Sequence, residues 1–176
     1  MSLLHRESFP AHAGWILSDQ LDRVSGGGSY NEILELPAQW KFKTDPEVVG
    51  EKQRWFAADH DDATWGTIRV GEFWEKQGVE SYDGAAWYRL RVTLPKELAG
   101  QIVQLSFGAA DETAKIYIDG QPAGEHDIGP HGWDKRFFID ITEHVKPGKP
   151  QLIAVKVVDT LYSGGLWKPI KVVTPK

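Results

Sequence analysis

The 176-residue chain has no cysteine, one methionine and no apolar run approaching the ~18 residues that cross a bilayer. Without cysteine there is neither a disulfide framework nor thiol chemistry, and that absence fits a reducing or an oxidising compartment equally. Basic runs are missing too. Lys and Arg number 20 against 25 Asp and Glu, giving a net charge of −5, and the cations are scattered, so nothing is built to neutralise a phosphate backbone. Nucleic acid and membrane are thereby set aside as partners. The opening "MSLLHRESFPAHAGW" is interrupted by His5, Arg6 and Glu7 before a signal-peptide core can form. Localisation is left open by the residues, with a secreted or periplasmic parent preferred. No helical period of useful length occurs; "DITEHV" (140–145) fits a single turn that Pro147-Gly148 closes. A G-x-S-x-G elbow and a phosphate-cradling loop are also absent.

What the chain does have is 18 Gly, 10 Pro and 8 Trp, a composition of short strands joined by turns. Residues 1–30 end in Ser25 and the Gly26–Gly28 run, which reads as a leader or linker; 31–176 reads as one domain, long enough to bury a core. In "WKFK", Trp40 and Phe42 alternate with lysines at period two, and in "AAWYRLRVTLP" Tyr88, Leu90, Val92 and Leu94 face away from Trp87, Arg89, Arg91 and Thr93. Further apolar runs continue to "IKVV". Asp119-Gly120 between two of them is a tight hairpin signal, and the strand spacing of about 8–12 residues suits a β-sandwich.

Five patterns occur in one order: "WFAADHDDATWGTIRV", "FWEKQGVESYDGAAWYRLRVTLP", "LSFGAADETAKIYIDGQPAGEHDIG", "FFIDITEHV" and "GGLWKPIKV". Together they resemble the N-terminal sugar-binding domain of family 2 glycoside hydrolases, the group with β-galactosidases, β-glucuronidases and β-mannosidases, over about residues 36–173. The resemblance implies an all-β, galactose-binding-domain-like jelly-roll β-sandwich. It also implies that the two catalytic glutamates sit on a separate barrel domain, so no catalytic residue is expected in this chain. Lys168 departs from the family, which more often has arginine there; an ammonium is a point charge where a guanidinium is a planar fork.

Asp159 is the first candidate sugar-binding residue. It stands five residues before Gly164, where the resemblance places an aspartate that reaches into the sugar site. A carboxylate accepts several hydroxyl hydrogen bonds, which suits a polyol; the bland alternative is a strand-end loop cap. A pyranose also offers a flat C–H face to aromatic rings. Trp40, Trp55, Trp65 and Trp87 lie in strand-like patterns and are expected in the core. Trp74, Trp133 and Trp167 lie in Gly-rich or polar loops and are candidate stacking surfaces, with loop anchoring as the alternative for Trp74 and Trp133 and packing at the strand edge as the preferred reading of Trp167. Tyr82, in "ESYDGAAWYR", is a further candidate contact, with loop organisation as its alternative. Asp111 and Glu112 are adjacent; neighbours on a strand face opposite ways, so they make a poor acid/base pair. No cofactor is expected. A structural Ca²⁺ among Asp45, Asp59, Asp61, Asp62 and His60 is a metal candidate, although no EF-hand spacing is present. His126 and His131 with Asp127 offer a weak zinc site, which without a third firm ligand reads more as hydrogen-bonded loop residues.

The expected function is that of a non-catalytic carbohydrate-binding domain, holding an oligo- or polysaccharide weakly through its end loops, with a catalytic barrel domain as partner in a longer parent chain. The alternative is a docking module that only completes that partner's pocket. A small intact glycosidase, which needs two carboxyls in one cleft, is the third.

Overall fold

A computed structural model describes residues 29–80, 82–160 and 162–176. The leader of 1–30 therefore lies outside the described residues except for Ser29 and Tyr30, and Tyr30 already opens the first strand. Ten strands follow: β1 (Tyr30–Glu35), β2 (Gln39–Asp45), β3 (Gly66–Arg69), β4 (Gly84–Thr93), β5 (Gln104–Phe107), β6 (Thr113–Ile118), β7 (Gln121–Asp127), β8 (Phe137–Asp140), β9 (Pro150–Asp159) and β10 (Ile170–Pro175). They form two antiparallel sheets, ordered β1-β10-β5-β8 and β3-β2-β4-β9-β6-β7. This is the β-sandwich expected from the strand spacing, with the jelly-roll architecture that the family resemblance implies.

The period-two patterns decide what lies between the sheets. Trp40, Phe42, Tyr88, Ile116, Ile153 and Val155 from the larger sheet meet Leu105, Phe107, Ile139, Ile170 and Val172 from the smaller. Strands β4 and β9 form the spine, paired from Gly84↔Asp159 to Thr93↔Pro150. Asp119 and Gly120 make the two-residue hairpin between β6 and β7 with φ of 49° and 82°. Both angles suit the left-handed turn whose twist matches the strands. The Asp119 carboxylate also accepts the Leu152 N–H at 2.8 Å, tying the turn to β9. "DITEHV" forms its single turn, with the Val145 N–H bonded to the Ile141 carbonyl at 3.0 Å.

The outward face of β4 is where the half-buried reading falls short. Trp87 and Arg89 are buried as deeply as Tyr88, because the segment between β2 and β3 folds back over the sheet. A second apolar layer results, containing Trp55, Trp65, Trp87, Tyr117, Leu152 and Ala154. Arg89 fastens it. Its guanidinium donates to the carbonyls of Trp55, Ala57 (3.0 Å) and His60 (3.1 Å) and pairs with the Asp62 carboxylate at 2.7 Å. An irregular segment cannot satisfy its own carbonyls with a ladder; a planar fork with five donors does it for this one. Asp45 plays the matching part at the segment's start, accepting from the Val49 and Gly50 N–H groups and from Trp87 Nε1.

Replacing Arg89 with Met takes the donor from the Trp55 and His60 carbonyls and the Asp62 carboxylate under the layer, and one of two donors from the Ala57 carbonyl. Arg89→Met is expected to lower stability by about 3–5 kcal/mol, seen as a lower urea midpoint with an unchanged m-value.

Candidate functional site

The loops 108–112, 128–136 and 160–169 gather at the end of the sandwich where β9 finishes, and the segment 70–83 enters β4 at the same end. Asp159 is the last residue of β9, on the face it shares with Val155 and Val157, and its side chain therefore points between the sheets. It is 1% exposed. Asp111 (3% exposed) and Glu112 (6% exposed) come in from the β5–β6 loop, and one oxygen of each of the three carboxyl groups lies within 4.8 Å of the others.

Asp111 and Glu112 thus share a site, contrary to the expectation drawn from strand alternation. Glu112 has a left-handed backbone, φ 31°, so the two residues precede β6 in a turn, where side chains do not alternate. Glu112 is held by the Thr160 hydroxyl, which donates at 2.6 Å, and the Asp111 N–H bonds the Gly165 carbonyl at 3.1 Å. Burial, with the hydrogen bond to Asp159 and the charges of Asp159, Glu112 and Glu75, pushes the Asp111 carboxyl up to about 8. Three carboxyls this close in low dielectric cannot all be ionised without a counter-charge. A shared proton between Asp111 and Asp159 relieves the repulsion here, and a cation would be the other means of doing so.

Gly164 and Gly165 make the niche geometrically feasible. A Cβ on Gly164 would overlap the Trp74 ring and Asp159 Oδ2, and one on Gly165 would lie 2.8 Å from the Tyr88 hydroxyl. The pair is pinned as well: the Gly164 N–H donates to Glu75 Oε1 at 3.0 Å, and the Trp74 N–H to the Gly164 carbonyl at 3.1 Å. Tyr88, whose hydroxyl burial keeps protonated, accepts the Leu166 N–H at 3.3 Å.

Trp74 must therefore be corrected as a stacking surface. It is fully buried, edge-on to Tyr82 with ring centroids 5.7 Å apart and 6.2 Å from Phe42. The polar "GEFWEKQG" looked like an exposed loop, but a short 3-10 turn over Trp74–Gln77 directs the indole inward, under the glycine pair. Tyr82 is half-buried and its hydroxyl donates to the Ala85 carbonyl at 2.6 Å, so it organises the entry to β4. Trp133 stays at the surface, 47% exposed. It stacks on half-buried Trp167 (5.4 Å, 23°), which stacks in turn on Phe73 (4.9 Å, 18°). The Trp167 indole N–H donates to the Trp133 carbonyl at 2.8 Å, fixing the ladder. Lys168 lies over the Trp167 ring, 4.2 Å from its centroid.

The calcium candidates do not converge. Asp45 and Asp62 hold the partners described above, and Asp61 caps the Ala63 N–H at 2.9 Å. Of the hollows in the described surface, one of about 290 Å³ is lined by Lys41, Asp62 and Arg91 and one of about 350 Å³ by Ile102, Val103 and Val145. Neither touches Asp159 or Trp133. At the carboxylate end Asp111, Glu112, Asp159 and Trp74 are buried and Trp133 is exposed.

Comparison with known proteins fits that arrangement. The family model described as "Glycosyl hydrolases family 2, sugar binding domain" matches residues 33–173, which takes in every strand but the outermost residues of β1 and β10. The chain belongs to this family. The chain is 30% identical over 136 residues to a β-glucuronidase of Formosa agariphila, an alignment covering 67% of this chain and 12% of that protein. It is 24% identical over 136 residues to a β-glucuronidase of Paenibacillus borealis, covering 74% and 22%. The β-glucuronidase of Ruminococcus gnavus shares the fold, with a TM-score of 0.73 at 20% identity, over 85% of this chain and 30% of that one. The chain thus spans well under a third of the lengths of these two curated relatives, and 30% of the solved one.

Two measurements probe the niche. Asp111 keeps its proton in the folded domain up to about pH 8, whereas an unfolded aspartate loses it near pH 4. Unfolding between those values releases a proton, so stability is full below about pH 4 and falls as pH rises, by up to about 1.4 kcal/mol per unit. Urea midpoints taken from pH 4 to 8 should decline for this reason, and Asp111→Asn should flatten that decline and be the more stable protein at pH 8. Gly164→Ala should lower stability by about 1–3 kcal/mol through overpacking against Trp74 and Asp159, read as a drop in Tm.

Proposed function

We propose that this chain is a non-catalytic carbohydrate-recognition domain that supplies one wall of a sugar site, with a glycoside-hydrolase catalytic domain supplying the rest. The observation that carries this reading is the meeting of Asp159, Trp133 and Trp167 at one end of the sandwich, around a carboxyl niche where the fold itself needs no charge. Trp133 is the stacking surface, held flat by the ladder beneath it. Asp159 and its neighbours are the acceptors toward which sugar hydroxyls are drawn. The relatives named β-glucuronidase and β-galactosidase support a β-linked pyranoside as the ligand class. They are also much longer than this chain, which supports a catalytic partner.

A wall is not a pocket. Each hydroxyl contact trades against water and is worth about 0.5–1.5 kcal/mol net, so the domain alone should bind simple glycosides in the high-micromolar to millimolar range. The second reading, a docking module with no sugar contact of its own, is favoured by the burial of Trp74 and Asp159.

Titration of the ¹⁵N-labelled 176-residue chain with methyl β-D-glucuronide and methyl β-D-galactoside separates the two. Fast-exchange shifts at the Trp133 and Trp167 indoles and at Gly164 and Gly165, lost in Trp133→Ala, are expected. Spectra unchanged at every concentration of both glycosides would leave the docking reading standing.

A further inference from the structure

Two aromatic residues are exposed among the described residues, Trp133 and Tyr162, and both belong to loops at the carboxylate end. Tyr162 is the more exposed, at 91%, and makes no hydrogen bond or ring contact with the described residues. It stands three residues beyond Asp159 with a left-handed backbone, φ 74°. Glycine adopts that conformation freely, whereas a bulky side chain is strained there. Of the five non-glycine residues with positive φ among the described residues, Tyr162 alone is aromatic.

Its setting makes the strain informative. On one side the chain leaves the β9 ladder at Asp159, opposite Gly84. On the other, Gly164 and Leu166 are fixed by Glu75, Trp74 and Tyr88. A short loop with both ends fastened thus projects an aromatic ring into solvent. The cost is backbone strain, and among the described residues the ring makes no contact that offsets it.

We propose that Tyr162 is a ligand-contact residue, the ring that packs against the C–H face of a pyranoside held at the Asp159 end. This rests on the carbohydrate-recognition reading and adds to it a contact on the same loop as the acceptor, where Trp74 is sealed off. Tyrosine has the chemistry for such a contact. Its ring meets the apolar face of the sugar, its hydroxyl exchanges hydrogen bonds with the sugar's own, and only two side-chain torsions are fixed on binding. The left-handed backbone turns the ring outward and away from the core.

The test joins stability to binding in the 176-residue chain. Tyr162→Gly relieves the backbone strain and should raise Tm or leave it unchanged, yet weaken binding of methyl β-D-glucuronide or methyl β-D-galactoside by about 5-fold, the scale of one aromatic contact. Tyr162→Trp should bind at least as tightly as the parent. A lower Tm in Tyr162→Gly means that the ring is structural and overturns the assignment. Parent-like affinity in Tyr162→Gly, with Trp133→Ala impaired, also overturns it, gives Tyr162 to a protein partner, and leaves the carbohydrate reading intact. No binding of either glycoside by the parent chain overturns both together.

Discussion

Three carboxyl groups at the end of a hydrophobic core set the terms for everything around them. Asp159 is carried there by the β9 ladder, opposite Gly84, and Asp111 and Glu112 by a turn that left-handed geometry at Glu112 forces out of strand alternation. Their mutual repulsion is relieved by a proton that Asp111 holds far above the usual carboxylate range. Every neighbouring feature accommodates that group. The glycine pair leaves room for Asp159 Oδ2 and the Trp74 ring, and Glu75, Tyr88 and Thr160 take up the polar atoms of the covering loop and of Glu112. Apolar residues at the same three positions would pack with less trouble, so the fold tolerates this arrangement where stability does not ask for it.

Arg89 shows the opposite solution within the same domain. It too is a charge with no exposure, but its four acceptors all come from the segment it secures, and the indoles around it complete a second apolar layer. One buried charge is fully answered by opposite partners and makes a rigid body; the carboxyl cluster is answered in part by a proton of its own. The larger sheet is thereby braced on its outer face, and the loops at the carboxylate end are mounted on strands whose positions are fixed from both sides. Such mounting is what a recognition surface needs, since contacts worth about 1 kcal/mol each are easily lost to loop ordering.

Much of this was legible in the chain's own pattern, and the parts that were not share a cause. Period-two alternation placed Trp40, Phe42 and Tyr88 between the sheets, and Asp119-Gly120 marked a hairpin because two left-handed residues in succession admit few alternatives. Trp87 in the same strand was expected in the core as an aromatic and is there, but Arg89 beside it was readable only as the opposite face. What covers that face is a segment of tryptophans and aspartates with no periodicity, fixed by a long-range guanidinium. Trp74 misled for a related reason. Its neighbours are polar, and what buries it is a glycine pair some ninety residues later in the chain. Asp111 and Glu112 were judged by a strand rule in a place where the backbone is not a strand. Local pattern speaks to ladders; it is silent on contacts made between loops.

The arrangement also bears on the proposed pairing with a catalytic domain. On the proposed reading, Asp159 at 1% exposure and the aromatic ladder at the same end of the sandwich would be half of a sugar site, and neither of the two hollows described above lies over them. A cavity closed by a second domain would exclude water from the carboxyl niche and strengthen each charge-assisted contact made there, since the same hydrogen bond is worth more in low dielectric. The proton held by Asp111 then acquires a second meaning. A sugar hydroxyl donating to Asp159 competes with the Asp111 carboxyl for the same oxygen lone pairs, so ligand binding and deprotonation of Asp111 would be linked, and affinity at such a site would vary with pH between the ordinary carboxylate range and about 8.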